Sequence, residues 1–261
     1  MPADHNPSGG ISTRLTSPSA VPADPPGVND YDGIAEAYSA ENEANLVNAY
    51  YERPAMLALA GEVTGRRILD AGCGAGPLFA ALRDRGAIVT GFDKSAGMIE
   101  LARRRLGDGA DLQVADLGRP LPFPDSTFDD VTASLVLHYL EDWGPALAEL
   151  RRVLKPGGRL IVSVNHPFRE TLWHREEGLA PDYFATYNYT VEWTAGAQSA
   201  VLRFWTRPLH AMTGAFAAAG FRITVISEPA VAPDTPRELL PADIGDGRRF
   251  LCFLFFVLHA S

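Results

Sequence analysis

Short apolar segments and amphipathic segments alternate along most of this chain. The apolar segments are rich in branched residues, as buried strands are, and lie at 66–71, 87–93, 110–116, 128–137, 159–164, 222–227 and 249–258. The segments at 77–86, 95–107, 144–158 and 207–221 repeat apolar residues at helical spacing, and several end in glycine or arginine. This alternation predicts a parallel sheet that is covered by helices on both faces.

The two ends of the chain differ in composition. Residues 1–28 are rich in Pro, Ser, Gly and Asp without an apolar period, which predicts a disordered tail. Residues 29–261 are predicted to form one domain that begins with a helical cap at 29–60. Asn29 or Asp30 can cap its first helix, and Tyr31, Ile34 and Tyr38 would then share one face.

One long segment, residues 167–207, interrupts the alternation after the fifth strand. Nine of its 41 residues are aromatic, about twice the average of the chain. An insert at the carboxyl end of a strand in such a sheet lies where ligands bind. We interpret it as a lid that lines a substrate pocket; a small subdomain with its own core is the alternative.

Charge and cysteine content narrow the classes of partner. The net charge is -9 and the pI is near 5.1, which argues against nucleic acid or an anionic membrane as the main partner. Cys73 and Cys252 do not make a disulfide framework, and no basic-then-apolar signal sequence begins the chain. The longest apolar run is about half as long as a membrane-spanning helix. A cytoplasmic location is therefore expected, and the oligomeric state is open, with a homo-oligomer as one option.

The stretch ILDAGCGAGP at 68–77 carries the first chemical signal. A glycine-rich turn between a strand and a helix lets a ligand lie against bare backbone, where N–H groups attract negative charge. The spacing is G-x-G-x-G rather than the G-x-G-x-x-G of dinucleotide sites, which favours an anion smaller than a pyrophosphate, such as a carboxylate. A purely structural turn is the alternative.

Two acids follow at strand ends. Asp93 ends the second strand, where an acid can bind both hydroxyls of a ribose, although it is also a common helix cap. Asp116 ends the third strand and can accept a hydrogen bond from an adenine amine, or lie in a solvated loop. A ligand with a carboxylate, a ribose and an adenine but no phosphate is S-adenosylmethionine.

With LDAGCGAG, GFDKSAGMIELAR and LKPGGRLIVSV in this order, the chain resembles the class I S-adenosylmethionine-dependent methyltransferases, in the small-molecule branch called type 11. The resemblance is strong over about 29–165 and weaker beyond. It implies an α/β, Rossmann-like fold with a seven-stranded, mostly parallel sheet whose last strand is antiparallel. It also implies S-adenosylmethionine as cofactor and S-adenosylhomocysteine as product, without a metal.

The resemblance implies roles for matching positions. Asp70 would help to hold the ammonium of the methionyl part, and Asp93 would bind the ribose. Met98 would pack near the adenine, while Asp116 and the Leu117 N–H would contact its polar edge. The full set of predicted cofactor-binding residues is Tyr38, Asp70, Gly72, Gly74, Gly76, Asp93, Lys94, Met98, Asp116, Leu117 and Ser134.

The acceptor side is predicted from histidines and aromatics. His166 and His138 follow the fifth and fourth strands, where a histidine can act as a general base; a hydrogen-bonded structural role is the alternative. His174 is a weaker candidate for the same role, and no ligand-spacing template for a metal fits the segment around it. The predicted substrate-binding residues are Tyr31, Phe168, Trp173, Tyr183, Tyr187 and Trp205.

The sequence therefore predicts an enzyme that transfers a methyl group to an O, N or C atom of a small apolar or aromatic metabolite, in natural-product biosynthesis. A nicotinamide-dependent oxidoreductase that uses the same turn is one alternative. A non-catalytic sensor of an adenosyl ligand is the other.

Overall fold

A computed structural model of the chain describes residues 27–195, 198–245 and 247–261. Nearly all of the tail predicted to be disordered, residues 1–28, lies outside these ranges.

The predicted alternation of helices and strands is present over the described residues. The helices are α1 (Ala35–Ala44), α2 (Arg53–Ala60), α3 (Pro77–Asp84), α4 (Ala96–Leu106), α5 (Gly144–Val153), α6 (Pro167–Glu176) and α7 (Leu209–Ala218), and a π-helical segment, Leu46–Glu52, joins α1 to α2. The strands are β1 (Arg67–Ala71), β2 (Ile88–Asp93), β3 (Asp111–Val114), β4 (Phe128–Ser134), β5 (Leu154–Asn165), β6 (Tyr187–Ala195), β7 (Gln198–Thr206), β8 (Phe221–Ser227) and β9 (Phe253–Ala260).

Seven strands form one sheet in the order β3-β2-β1-β4-β5-β9-β8. Strands β1 to β5 pair in parallel, and β9 runs antiparallel between β5 and β8. This arrangement confirms the predicted fold class, including the antiparallel last strand. The chain proceeds from β1 to β2 on one side and returns to β4 on the other, so a crevice opens above β1, where ligands bind in such sheets.

The central strands β1, β4 and β9 are buried on both faces of the sheet. Alternate residues of a strand point to opposite sides, so each strand contributes to two cores. Ile68 of β1 packs in a core formed with α2, α3 and α4, whereas the adjacent Leu69 packs in the core formed with α5 and α7; neither is exposed at all. Helices therefore hold the sheet from two sides and leave its carboxyl edge free for a site.

The first helix begins later than predicted. No side chain caps α1, which starts at Ala35, so the expected cap at Asn29 or Asp30 is wrong. Asn29 has a left-handed backbone (φ 56°), and its Oδ1 accepts a hydrogen bond of 2.7 Å from the N–H of Arg203 on β7. This tertiary contact outweighs the local capping signal.

Several strand boundaries also differ. Strand β5 begins at Leu154 rather than 159, so residues 154–158, which were predicted to end the preceding helix, belong to the strand. Strand β4 ends at Ser134 rather than 137, because Leu135 takes a left-handed backbone (φ 49°) that an extended strand cannot continue. Strand β9 begins at Phe253 rather than 249, after a bend at 251–252. A leucine with positive φ is strained, and such strain is concentrated at functional sites.

The insert at 167–207 consists of α6 and a two-stranded hairpin of β6 and β7. Trp193 and Leu202 of the hairpin pack with Ile34 beside α1, and all three are buried. The hairpin therefore shares this small core with the N-terminal segment instead of enclosing one of its own. That the insert acts as a substrate lid stays a prediction.

Candidate functional site

A cavity of about 530 Å³ opens at the carboxyl ends of β1, β2 and β4, where the sheet reverses its order. Its lining brings together most of the predicted residues: Tyr31, Tyr38, Asp70, Gly72, Gly74, Asp93, Lys94, Met98, Asp116, Leu117 and Ser134. Gly76 is not in the lining; it precedes α3 as its N-terminal cap. The convergence is geometric, and the roles of these residues toward a ligand stay predictions.

The glycine turn forms the floor of the cavity. At Gly72 a Cβ atom would lie 2.7 Å from Cγ2 of Val136, so the packing of the protein itself excludes a side chain there. At Gly74 no described heavy atom lies within 4 Å of where a Cβ would be. Gly74 is therefore the position at which bare backbone faces open space, as the sequence predicted for a bound ligand.

Asp70 is a buried acid with one oxygen unused. Its Oδ1 accepts a hydrogen bond of 2.8 Å from Thr132 Oγ1, whereas Oδ2 has no hydrogen-bond partner among the described residues. Burial raises the pKa of Asp70 to about 7, against the effect of Thr132, and the charges of Glu52 and Asp93 raise it further. A buried carboxyl that lacks a partner favours a ligand that brings a cation.

Asp93 holds the turn as well as facing the cavity. Its Oδ2 accepts from the N–H of Gly74 and its Oδ1 from the N–H of Ser95, both at 2.9 Å. Burial raises the pKa of Asp93, although these backbone hydrogen bonds oppose it. Ser95, not Asp93, caps α4 through its side chain, so the capping alternative for Asp93 does not account for its position.

Lys94, Asp116 and Met98 line the neighbouring wall. Lys94 Nζ lies 3.9 Å from Asp116 Oδ2 in a solvent-exposed pair, and Asp116 Oδ1 also accepts from the N–H of Gly118. Met98 is buried and packs with Ala35. This wall combines an apolar surface with a carboxylate at its rim, which suits a flat base with a polar edge.

Glu52 is a site residue that sequence reasoning missed. It ends the π-helical segment, is 4% exposed and lines the cavity. Its Oε1 accepts hydrogen bonds from Ser134 Oγ at 2.7 Å and from Ser163 Oγ at 2.6 Å. Burial raises its pKa, and these serines oppose the rise. The sequence gives no clear signal for it, because Glu52 stands beside the charged Arg53 in YYERP. The π-helical turn is a structural signal, since such turns often occur at functional sites.

Three tyrosines form an aromatic wall, defined here as Tyr31, Tyr38 and Tyr139. The hydroxyls of Tyr31 and Tyr139 hydrogen-bond to each other, and the rings of Tyr31 and Tyr38 meet edge to face at 4.9 Å. Burial raises the pKa of Tyr31 and of Tyr139, so both are neutral phenols at physiological pH. Tyr139 was not predicted because the fourth strand was drawn too long and concealed the turn at Leu137–Tyr139.

The structure does not bring the predicted histidine bases to this cavity. His138 packs against Phe204, and burial lowers its pKa to about 3, so it is neutral. His166 caps α6, and its Nε2 lies 2.8 Å from Oε1 of Glu228. Both residues line a second cavity of about 490 Å³. His174 is buried and bonds to the hydroxyl of Tyr187. His166 and His174 make side-chain hydrogen bonds, as the structural alternative expects, whereas Nδ1 of His138 has no hydrogen-bond partner among the described residues. A catalytic role for any of them stays a prediction.

The predicted acceptor-binding aromatics of the insert also lie apart from the first cavity. Phe168 and Tyr183 line the second cavity beside His166. The rings of Trp173 and Tyr187 pack against His174, and Trp205 is half-buried on β7. Of the predicted acceptor-binding residues, Tyr31 lines the first cavity.

Two further findings concern the described part of the chain. It contains no group of three or more His, Cys, Asp or Glu residues that would hold a metal ion. Within the same residues, every helix is too short or too polar to cross a lipid bilayer.

Residues 69–162 match the family model described as a methyltransferase domain. A demethylmenaquinone methyltransferase of Clavibacter sepedonicus is 41% identical over 135 residues, which are 51% of this chain and 55% of that protein. The chain thus spans about half of the length of the curated relatives it matches.

Solved structures agree with the fold. An S-adenosylmethionine-dependent methyltransferase from Mesorhizobium loti is 26% identical with a TM-score of 0.58, covering 79% of this chain and 96% of that one. A Burkholderia thailandensis 1,6-didemethyltoxoflavin-N1-methyltransferase with bound S-adenosylhomocysteine shares the fold over 98% of both chains, with a TM-score of 0.56 and 17% identity. Over residues 69–162, and in the fold, these findings agree with the family that the motifs predicted.

Proposed function

From the premise that the chain contains a class I S-adenosylmethionine-dependent methyltransferase domain, we propose that its first cavity transfers a methyl group to a small molecule with an aromatic or quinone-type ring. The observation that carries the proposal is the unpartnered Oδ2 of buried Asp70 beside the open backbone of Gly74, in the crevice where the sheet reverses. These groups accept a cation and a close approach, which the amino-acid end of the cofactor requires.

The residues present fit the cofactor along its whole length. Asp70 would face the ammonium, and Asp93 at the end of β2 would accept hydrogen bonds from the two ribose hydroxyls. Met98 would pack against the adenine, with Asp116 near its amine. The cavity volume of about 530 Å³ falls within the range usual for cofactor sites.

When bound, S-adenosylmethionine supplies a methyl group on a positively charged sulfur. The leaving group is therefore already activated, and the protein contributes orientation and a dry pocket, which are worth about 7–11 kcal/mol in favourable cases. The aromatic wall would border the reacting centre and exclude water. Its neutral phenols present π faces to a cation.

The ring-type acceptor is proposed on two grounds. The aromatic wall offers flat, apolar surfaces on which a ring can stack. The relative from Clavibacter sepedonicus is named a demethylmenaquinone methyltransferase. This name favours a quinone-type acceptor, and the assignment to natural-product biosynthesis stays a prediction from the sequence.

The acceptor's proton is not routed through His138 or His166, because neither lines the cavity. An acceptor with an acidic hydroxyl, such as a reduced quinone, ionises more readily and depends less on a base from the protein.

Mass spectrometry tests the proposal. Incubation with S-adenosylmethionine and a reduced demethylnaphthoquinone, or a panel of phenols, should yield a product heavier by one CH₂ unit together with S-adenosylhomocysteine. The Asp93→Ala variant is the negative control. Tight binding of a nicotinamide dinucleotide without binding of S-adenosylmethionine would instead support an oxidoreductase, and cofactor binding without any methylated product would support a sensor.

A further inference from the structure

We infer that Glu52 and Asp70 together form a subsite for the ammonium group of the ligand, so that the N-terminal segment itself holds the amino-acid end of S-adenosylmethionine. The inference deepens the proposed function and rests on it. Its new element is Glu52, which belongs to the π-helical segment outside the sheet.

Glu52 is held in a fixed position over the strand ends. The hydroxyls of Ser134 at the end of β4 and of Ser163 on β5 both donate to its Oε1, at 2.7 and 2.6 Å. Ser163 Oγ also accepts from the N–H of the strained Leu135. A long, flexible side chain is thus fixed by two partners, and it lines the cavity that Asp70 also lines.

Neither carboxyl group forms a salt bridge within the described part of the chain. Asp70 is 1% exposed and Glu52 is 4% exposed, and Oδ2 of Asp70 has no partner among the described residues. The charge of Glu52 raises the pKa of Asp70, so the two carboxyl groups interact electrostatically. Arg53 is the basic group that acts on Glu52, and its effect is smaller than that of either serine. Buried carboxylates without a cation are costly, and a cationic ligand would remove that cost.

An ammonium group fits this arrangement better than a metal ion does. It donates up to three hydrogen bonds, and the acceptors available are the free Oδ2 of Asp70 and the carboxylate of Glu52. The described residues contain no cluster of three or more ligating side chains that would complete a metal shell. Charge-assisted hydrogen bonds of this kind are the strong ones.

Calorimetry with two ligands tests the inference. S-adenosylhomocysteine carries the amino-acid end, and 5′-methylthioadenosine lacks it but keeps the ribose and the adenine. The Glu52→Gln variant keeps an oxygen for both serine hydroxyls and loses the charge. We expect this variant to bind S-adenosylhomocysteine about tenfold to a hundredfold more weakly, because one charged hydrogen bond is lost. The affinity for methylthioadenosine should be unchanged.

A matched control is Glu43→Gln. Glu43 lines the same cavity from α1, but its carboxylate pairs with Arg105, and we expect neither ligand to be affected. Glu52→Asp, which keeps the charge, should retain most of the preference for S-adenosylhomocysteine over methylthioadenosine. If Glu52→Gln does not fold, the comparison of Glu52→Asp with the wild type tests the inference instead.

The outcomes separate the two claims. Three results would overturn the subsite while the proposed function stands. They are unchanged binding of S-adenosylhomocysteine by Glu52→Gln, an equal loss of affinity for both ligands, and a Glu52→Asp variant that binds S-adenosylhomocysteine as weakly as Glu52→Gln does. A wild-type protein that binds neither ligand would overturn the proposed function, and the subsite with it.

Discussion

Replacement of Asp70 by asparagine should stabilise the ligand-free protein, and the gain should grow with pH. Asparagine has the shape of aspartate and keeps an oxygen that accepts from Thr132 Oγ1. It removes a carboxyl group that is 1% exposed and whose Oδ2 has no hydrogen-bond partner in the described residues. The usual cost of a core substitution is therefore small here, and the loss of the buried charge decides the sign.

The magnitude follows from the pKa of Asp70, which burial raises to about 7. The folded state then binds the proton more tightly than the unfolded state, whose aspartate has a pKa near 3.9. Between these values the folded protein carries more protons, so its stability falls as pH rises. Proton linkage gives a penalty of about 1.5 kcal/mol at pH 5 and about 4 kcal/mol at pH 8, which the asparagine removes.

Urea unfolding of the ligand-free protein at pH 5, 6, 7 and 8 measures this difference. The free energy of unfolding of Asp70→Asn minus that of the wild type should rise by about 2.5 kcal/mol over the series. Asp116→Asn, at a solvent-accessible carboxylate of the same cavity, is the control and should run parallel to the wild type. Saturating S-adenosylhomocysteine should abolish most of the pH dependence, because its ammonium stabilises the carboxylate. Parallel curves for the wild type and Asp70→Asn would refute the reasoning.

Three further predictions concern other parts of the molecule. Asp93→Ala should lower the affinity for S-adenosylhomocysteine, measured by calorimetry, by about a hundredfold, because the ribose hydroxyls lose a charged acceptor. An unchanged affinity would contradict the ribose assignment. Asp130→Ala leaves Arg66 and Arg159 facing each other without their fully buried partner and should cost about 3–5 kcal/mol in urea unfolding. Burial raises the pKa of Asp130, but the two arginines outweigh it, so the folded pKa is lower than the unfolded one. The stability that Asp130 contributes is therefore present above about pH 4 and is lost as pH falls through the folded pKa. A variant as stable as the wild type at pH 7 would show that these ion pairs do not offset the desolvation of Asp130. His166→Ala should lower stability by about 1 kcal/mol, from the loss of the α6 cap, and leave methyl transfer intact; loss of turnover in a folded variant would restore a catalytic role.

Much of this protein is readable from local sequence. The period of apolar residues predicted the seven strands of the main sheet and the helices between them, because burial on both faces of a sheet demands short, continuous apolar segments. It did not predict α6 or the hairpin of β6 and β7. The spacing of Gly72 and Gly74 and the acids at the ends of β1, β2 and β3 predicted the cavity, since parallel strands bring their carboxyl ends to one edge. Those signals are local because the backbone geometry that produces them is local.

The cap of the first helix, the length of β4 and the acceptor side required the tertiary structure. Asn29 does not cap the first helix, because its side chain accepts a hydrogen bond from Arg203 of β7, which lies 174 residues further along the chain. Glu52 becomes a site residue through serines 82 and 111 residues further along the chain. His166 turns to Glu228 instead of the cavity for the same reason. Side-chain direction at a strand end is set by partners that are distant in sequence, and no spacing or period along the chain encodes them.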